Sequence, residues 1–283
     1  QNQFRQFSSV LKGESFRPWF DTFAQNGRTP APGERWSCPD MADTLEELAA
    51  TNCESFYRGA LARKIDDFSR ACGGYLRAED LAEYEAIWVD PISARYKGYD
   101  VWELPPNGHG LVVLMTLNML RNDHFTHHDD IETLHRQLEA MKLAFADGQK
   151  YITDPACMRR SVEQFLNPSY ADARRAQITD RAQPPIAGDP ACGGTVYLCT
   201  ADGEGNMVSL IQSNYRGFGS GIVIPGTGIS LNDRGYSFSL DPQDDNCLAP
   251  GKRPYHTIIP GFLTKNGHAV GPFGVMGEFM QPQ

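Results

Sequence analysis

Long apolar runs are absent from this sequence, which has no stretch near the roughly 18 consecutive apolar residues of a membrane-spanning helix. We therefore expect no membrane partner. The first six residues, QNQFRQ, lack the basic, apolar and small-residue regions of a signal peptide. These features favour a cytoplasmic location. They leave a periplasmic one open, because the chain does not begin with Met and a targeting segment could precede it.

Positive charge is also scarce. The chain has 26 Lys and Arg residues against 35 Asp and Glu residues, and its formal net charge at pH 7 is -9. Nucleic acids and anionic membrane surfaces are bound by clustered Lys and Arg side chains, which an acidic chain of this kind does not supply. A small-molecule partner fits the composition better.

Paired cysteines and several common catalytic motifs are missing as well. The seven cysteines are odd in number, widely spaced and without a CxxC pair, so they predict neither a disulfide framework nor a zinc site. The chain has no Gly-x-Ser-x-Gly elbow and no phosphate-cradling glycine loop. These absences argue against a serine hydrolase of that type and against phosphoryl transfer. We expect no metal and no organic cofactor.

Helical periodicity dominates the first part of the chain, which at 283 residues and 41% hydrophobic content can bury a real core. The spacing of apolar residues predicts helices over 41–72 with a break after Asn52, over 78–84, over 111–120 and over 131–148. The last of these would bury one face, formed by Leu134, Leu138, Met141 and Phe145.

Two hairpins and a loop are predicted from other patterns. Residues 92–104 alternate like a β-hairpin with its turn at Lys97-Gly98. Residues 180–190, rich in proline and small side chains, predict an exposed loop. After this loop, β-branched and aromatic residues over 195–200 and 207–213 flank a glycine-rich turn at 202–206, which predicts a second hairpin. Because strands dominate after the loop, helices precede strands and a layered α+β protein is expected.

Thr195 opens the second hairpin behind two glycines and is a candidate nucleophile. A threonine hydroxyl is weakly nucleophilic, but a cut between Gly194 and Thr195 would free an α-amine that could act as its base. The alternative is structural, because most strand threonines are there for packing on the pleated surface. The exposed loop before Thr195 is what self-cleavage would require.

Other motifs also have two interpretations. The run of histidines and aspartates over 123–130 could bind a metal, or could be a surface loop whose Asp129 and Asp130 start a helix. Residues 202–206 have oxygen ligands but lack the spacing of a calcium loop, so a turn explains them. Lys252 and Arg253 could hold an anion or be an exposed basic pair, and His256 could contact substrate or be a structural histidine.

Several motifs occur in one order after Thr195, and together they are more specific than any one alone. They are SNYRGFGSG at 213–221, PGTGISLNDRGYSFS at 225–239, APGKRP at 249–254 and GVMG at 274–277. With the hairpin, they resemble the γ-glutamyltransferase family of N-terminal-nucleophile hydrolases. Weaker similarities extend through the helical part, at 56–59, 73–74, 79–81, 96–98 and 105–106.

The resemblance implies an αββα sandwich of antiparallel sheets with flanking helices. Cleavage between Gly194 and Thr195 would give a mostly helical large-subunit portion, 1–194, and a β-rich small-subunit portion, 195–283. The two portions would stay associated, and a homodimer is left open. Thr195 would be the nucleophile, Ser213 a hydroxyl near its amine, and Gly277 and Glu278 the backbone donors to the oxyanion. The chain itself resembles an internal portion of a family member, without the upstream segment that supplies an arginine for the substrate carboxylate.

Two of three departures from the family pattern concern the substrate. Arg234 and Ser237 stand where glutamyl-specific members have an acidic or amide pair for the α-amine of the substrate. An arginine would repel an ammonium group and attract a carboxylate. His256 and Thr257 stand where the family has a serine pair. Tyr215 is the remaining candidate for substrate binding.

The third departure is at the oxyanion site, where Glu278 replaces a second glycine. Glutamate does not adopt a positive φ cheaply, and its carboxylate would oppose the developing charge. Taken as a whole, the resemblance implies a self-processing amidohydrolase or acyltransferase acting on γ-glutamyl amides such as glutathione. One alternative is an amidohydrolase of a small acidic amide such as oxamate. The other is an unprocessed or inactive homologue with an interaction or structural role.

Overall fold

The structure is a computed structural model that describes residues 2–127, 129–184 and 195–282. In these ranges the helices are α1 (Asn2–Val10), α2 (Arg17–Phe23), α3 (Pro39–Ala50), α4 (Glu54–Arg58), α5 (Ala60–Ala71), α6 (Ala78–Ala82), α7 (Gly110–Leu120), α8 (Ile131–Tyr151), α9 (Val162–Leu166) and α10 (Pro168–Arg175). The strands are β1 (Ile92–Tyr96), β2 (Tyr99–Glu103), β3 (Thr195–Ala201), β4 (Met207–Ser213), β5 (Gly261–Lys265) and β6 (His268–Phe273).

The first of two compact units contains the residues up to Trp88 together with Arg216–Asp233. Its apolar centre is Trp19, which is 0% exposed and is surrounded by phenylalanine rings from α1, α2 and the 216–233 segment. Thr44 on α3 fixes that segment by donating a hydrogen bond of 2.8 Å to the carbonyl oxygen of Thr227. Aromatic burial of this kind is the main source of stability for a helical unit.

The second unit contains Val89–Tyr215 and Arg234–Gln283. It has a four-stranded antiparallel sheet in the order β1-β2-β5-β6 and a two-stranded antiparallel sheet, β3-β4. Helix α7 packs against β1 and β2 on one side and against α8 on the other, and β4 contacts β6. The main core of this unit lies around the apolar helix α7.

Most of the predicted elements are present. The hairpin at 92–104 turns at Lys97-Gly98 as expected, and the helical stretch from 41 to 72 breaks at Asn52, whose φ is +48°. The early hairpin joins the later strands in one sheet, because β2 pairs with β5 from the far end of the chain. Helices α1, α2, α9 and α10 and the β5-β6 hairpin were not predicted. The proposed division between 194 and 195 stays a prediction, because residue 194 lies outside the described ranges.

The predicted buried face of α8 is wrong for two of its four residues. Leu134 and Leu138 are 45% and 44% exposed. The face turned to α7 has small residues instead, including Ala140 and Ala144, both 0% exposed. At Gly148, an added Cβ would lie 2.6 Å from Val112 Cγ2. Small residues allow the helix axes to approach closely, so packing distance decides which face is buried.

Two further findings concern the whole described chain. No helix among residues 2–127, 129–184 and 195–282 is long and apolar enough to cross a membrane. Six cysteines are free thiols, at positions 38, 53, 72, 157, 199 and 247. The seventh cysteine, Cys192, lies outside the described residues.

Candidate functional site

Thr195 and Ser213 face each other at one end of the β3-β4 hairpin. The antiparallel register pairs them directly, and Thr195 Oγ1 donates a hydrogen bond of 3.1 Å to Ser213 Oγ. Both side chains are half-buried, whereas Val196, next along the strand, points outward and is 61% exposed. Strand alternation therefore turns the Thr195 hydroxyl to the protected face of the hairpin. Gly194, the other residue of the predicted cleavage site, lies outside the described residues.

Tyr215, two residues after Ser213, has a constrained backbone conformation. Its N–H donates a hydrogen bond of 2.9 Å to Ser213 Oγ, and its φ is +77°, a left-handed conformation that is uncommon for a bulky residue. The side chain is 3% exposed. Strained backbone of this kind is concentrated at functional sites, because the surrounding structure must hold it in place.

Arg234 brings a positive charge into this group. Its guanidinium carbon lies 4.9 Å from the centre of the Tyr215 ring, and Nη1 donates a hydrogen bond of 2.7 Å to Thr257 Oγ1. Arg234 is 6% exposed and Thr257 is 1% exposed. A cation on an aromatic face in a desolvated setting attracts carboxylates strongly. The structure thus brings together three residues that the sequence analysis assigned to substrate binding.

Ser237 and His256 border the same group, and both bond to the protein itself. Ser237 Oγ lies 2.8 Å from the carbonyl oxygen of Arg234 and 2.9 Å from that of Tyr255, so its hydroxyl hydrogen is directed to the main chain. His256 Nδ1 accepts a hydrogen bond of 3.2 Å from the N–H of Ile258. Burial and, secondarily, the charge of Arg234 lower the pKa of His256 to about 3, so the ring is neutral.

The segment that contains Gly277 and Glu278 packs against this group. Glu278–Met280 form a 3₁₀ turn, closed by a hydrogen bond of 2.9 Å from Met280 N–H to the carbonyl oxygen of Gly277. Such turns use negative φ values, so a glutamate fits here without the strain expected from the sequence. The side-chain amide of Gln281 donates to the carbonyl oxygen of Thr257. The placement of the Glu278 side chain is outside the described part of the structure.

Two buried residues near the site were missed in the sequence analysis. Asn246 is 3% exposed and accepts hydrogen bonds from the Thr153 hydroxyl and the Tyr255 N–H, at 3.0 and 2.9 Å. Its amide also donates to the carbonyl oxygen of Ser237. His109 is 0% exposed and lies at the start of α7. Its position between Gly108 and Gly110 was the available signal in the sequence.

The remaining predicted motifs have structural partners. Asp130 caps α8 by accepting from Thr133 N–H at 2.7 Å, as predicted for a helix-starting acid. Lys252 donates to main-chain oxygens and Arg253 pairs with Asp154 at 3.2 Å, so both basic side chains have partners within the protein. Residues 202–206 form the predicted turn, organised by Asp202. No group of three His, Cys, Asp or Glu residues within the described ranges could hold a metal ion.

The chain is similar to several known proteins along nearly its whole length. The glutathione hydrolase-like YwrD proenzyme of Bacillus subtilis (strain 168) is 37% identical over 265 residues, which are 93% of this chain and 50% of that protein. The oxamate amidohydrolase proenzyme of Klebsiella pneumoniae is 38% identical over 277 residues, which are 98% of this chain and 52% of that protein. The chain thus spans about half the length of these relatives.

A solved structure confirms the predicted fold class. The crystal structure of cephalosporin acylase from Bacillus halodurans is 56% identical, with a TM-score of 0.94 over 99% of this chain and 52% of that one. The family model described as Gamma-glutamyltranspeptidase matches residues 1–283. These matches bear out the resemblance stated above, and the chain belongs to the gamma-glutamyltranspeptidase family.

Proposed function

We propose that this chain forms part of a self-processing amidohydrolase with Thr195 as its nucleophile. The observation that carries the proposal is the pairing of Thr195 Oγ1 with Ser213 Oγ at 3.1 Å on the protected face of the hairpin. A second hydroxyl within hydrogen-bond reach orients the nucleophile. The proenzyme names of the relatives support processing.

In processing, Thr195 Oγ attacks the carbonyl carbon of Gly194, and the peptide C–N bond breaks to give an ester and an α-amine. Water then hydrolyses the ester and leaves Thr195 as a new N-terminus. In catalysis, Oγ attacks the amide carbon of the substrate while its proton passes to the α-amine and then to the leaving amine. Water, deprotonated by the same α-amine, cleaves the acyl ester and releases the acid.

The backbone N–H groups of Gly277 and Glu278 are our candidates for binding the oxyanion. This segment packs beside Tyr215, with the rings of Tyr215 and Phe279 6.3 Å apart. An amide N–H can stabilise an oxyanion whatever its side chain, and each such donor is worth roughly 3 kcal/mol in acyl transfer.

For the substrate, we favour an amide whose acyl group ends in a carboxylate and has no α-ammonium group. The buried cation of Arg234, held by Tyr215 and Thr257, supports this choice. It would attract a carboxylate and repel the ammonium of a γ-glutamyl group. γ-Glutamyl amides such as glutathione are the second candidate, because the Bacillus subtilis relative is named glutathione hydrolase-like.

Self-processing is tested by intact-mass spectrometry of the full-length protein. We expect two pieces, one beginning at Thr195, in the wild type, and an uncut chain in Thr195→Ala. Thr200→Ala is the matched control, because Thr200 is exposed on the same strand and should leave cleavage unchanged. Cleavage that persists in Thr195→Ala would refute the assignment, and an uncut wild type would favour the unprocessed homologue.

Substrate choice is tested with glutaryl and γ-glutamyl p-nitroanilides, which differ only in the α-amino group. We expect the glutaryl compound to be hydrolysed faster and Arg234→Gln to reduce its kcat/KM by about 10- to 100-fold, the cost of losing a hydrogen bond to a charged group. Arg234→Glu should instead raise γ-glutamyl turnover. Arg160→Gln, an exposed arginine, is the control. An equal loss for both compounds in Arg234→Gln would contradict the role in specificity.

A further inference from the structure

His109 joins two parts of the site from within the core. The ring is fully buried, and its Nδ1 is hydrogen bonded to the Tyr255 hydroxyl. On the opposite side, Nε2 lies 3.1 Å from the carbonyl oxygen of Phe279. The centroid of the ring is 5.1 Å from that of Phe145 and 5.6 Å from that of Phe279, so the ring is also held by packing.

These partners determine the protonation of the ring. A carbonyl oxygen can only accept, so Nε2 of His109 must carry the hydrogen that it donates to Phe279. Nδ1 therefore accepts the hydroxyl hydrogen of Tyr255. Burial lowers the pKa of His109 to about 3, so the neutral ring keeps this single tautomer at neutral pH.

The Phe279 carbonyl belongs to the segment that contains the proposed oxyanion donors. Gly277 and Phe279 lie in the same 3₁₀ turn, so their backbones move together. Upstream, an added Cβ at Gly274 would lie 2.5 Å from Tyr197 Cε2, so the segment also lies against strand β3, which begins with Thr195. The hydrogen bond from His109 thus ties this turn to the buried start of α7.

We propose that His109 is a positioning residue for the acyl-transfer site, which places the Gly277 and Glu278 amides by holding the Phe279 carbonyl. This inference rests on the proposed function. Oxyanion donors act only if they lie within a few tenths of an ångström of the correct place, and misplacement by about 1 Å can cost roughly 100-fold in rate. The effect should appear in kcat, because the oxyanion exists in the transition state and not in the bound substrate.

The test compares two amide replacements that differ in reach. His109→Gln places a donor near the position of Nε2 and can still bond to Phe279, whereas His109→Asn reaches only the position of Nδ1 and Tyr255. With the glutaryl anilide, we expect His109→Asn to lower kcat by about 100-fold with KM within about threefold, and His109→Gln to stay within about tenfold of wild type. His109→Phe, which fills the ring volume without a hydrogen bond, should behave like His109→Asn.

Near-ultraviolet circular dichroism and intact mass of each variant establish folding and processing before the kinetics are measured. If His109→Asn does not fold, His109→Phe takes its place in the comparison with His109→Gln. Equal losses in the Gln and Asn variants, a change in KM alone, or an unchanged kcat in His109→Asn would each overturn the positioning role. Activity that survives in Thr195→Ala would instead overturn the proposed function, so the two failures are distinguishable.

Discussion

Glu103 is a buried carboxylic acid at the end of β2. It is 2% exposed, and neither of its carboxyl oxygens has a hydrogen-bond partner within the described chain. Added Cβ atoms at Gly110 and Gly261 would each lie 2.9 Å from one of these oxygens, so two glycines make room for the group. Burial raises the pKa of Glu103 from 4.5 to about 8, which means that the folded protein holds a neutral carboxylic acid at neutral pH.

The raised pKa makes the free energy of unfolding depend on pH. Because the folded state binds the proton more tightly than the unfolded state, the stability contribution is complete below pH 4.5 and is lost as the pH rises towards 8. Relative to a side chain that does not titrate, Glu103 lowers the free energy of unfolding by about 1 kcal/mol at pH 5 and by about 3 kcal/mol at pH 7. Glu103→Gln removes this cost with little change in volume.

Urea unfolding of wild type and Glu103→Gln between pH 5 and pH 8 measures the difference. We expect the variant to be more stable by about 3 kcal/mol at pH 7, with a gap that narrows to about 1 kcal/mol at pH 5. Other titrating groups affect both proteins alike and cancel in the difference. Glu204→Gln, at an exposed position of the 202–206 turn, should change stability by less than about 0.5 kcal/mol at every pH.

If the difference in stability between wild type and Glu103→Gln does not vary with pH, Glu103 has the same pKa in the folded and unfolded states. The reasoning from burial would then be wrong. A variant less stable than wild type at pH 7 would be equally contradictory. It would mean that the ionised carboxylate is stabilised in the fold by groups that the structure does not place beside it.

Three further predictions use the same unfolding assay. Asn246→Leu should cost about 3 kcal/mol or more, since it leaves several buried polar groups without partners, and wild-type stability would contradict this. Because its pKa is lowered to about 3, His109 should reduce the free energy of unfolding by about 2 kcal/mol at pH 5, where the unfolded state takes up a proton. Between pH 7.5 and pH 5, His109→Gln should therefore lose less stability than the wild type. Gly148→Ala should cost about 1 to 3 kcal/mol through its clash with Val112, whereas Gly203→Ala, in open space, should be neutral.

Local sequence patterns predicted the β1-β2 and β3-β4 hairpins and most of the described helices. The register that pairs Thr195 with Ser213 follows from two seven-residue strands and a five-residue turn, all of which can be seen in the sequence. The break at Asn52 is likewise local. Where interhelical distance mattered, as for Leu134 and Leu138, the pattern was wrong, since the periodicity of one helix does not encode how closely its neighbour packs.

The motifs of the sequence determined the family and pointed to Thr195, Ser213, Arg234 and Thr257, because nucleophile, turn and strand chemistry are short-range properties. The tertiary structure decided what these residues meet. Thr257 lies 23 residues from Arg234, and only the fold makes it a hydrogen-bond partner of the guanidinium. His109 and Phe279 are 170 residues apart, and their hydrogen bond has no local signal. Burial and long-range contact exist only once the chain has folded, so the charge state of a side chain and its hydrogen-bond partner are properties of the fold.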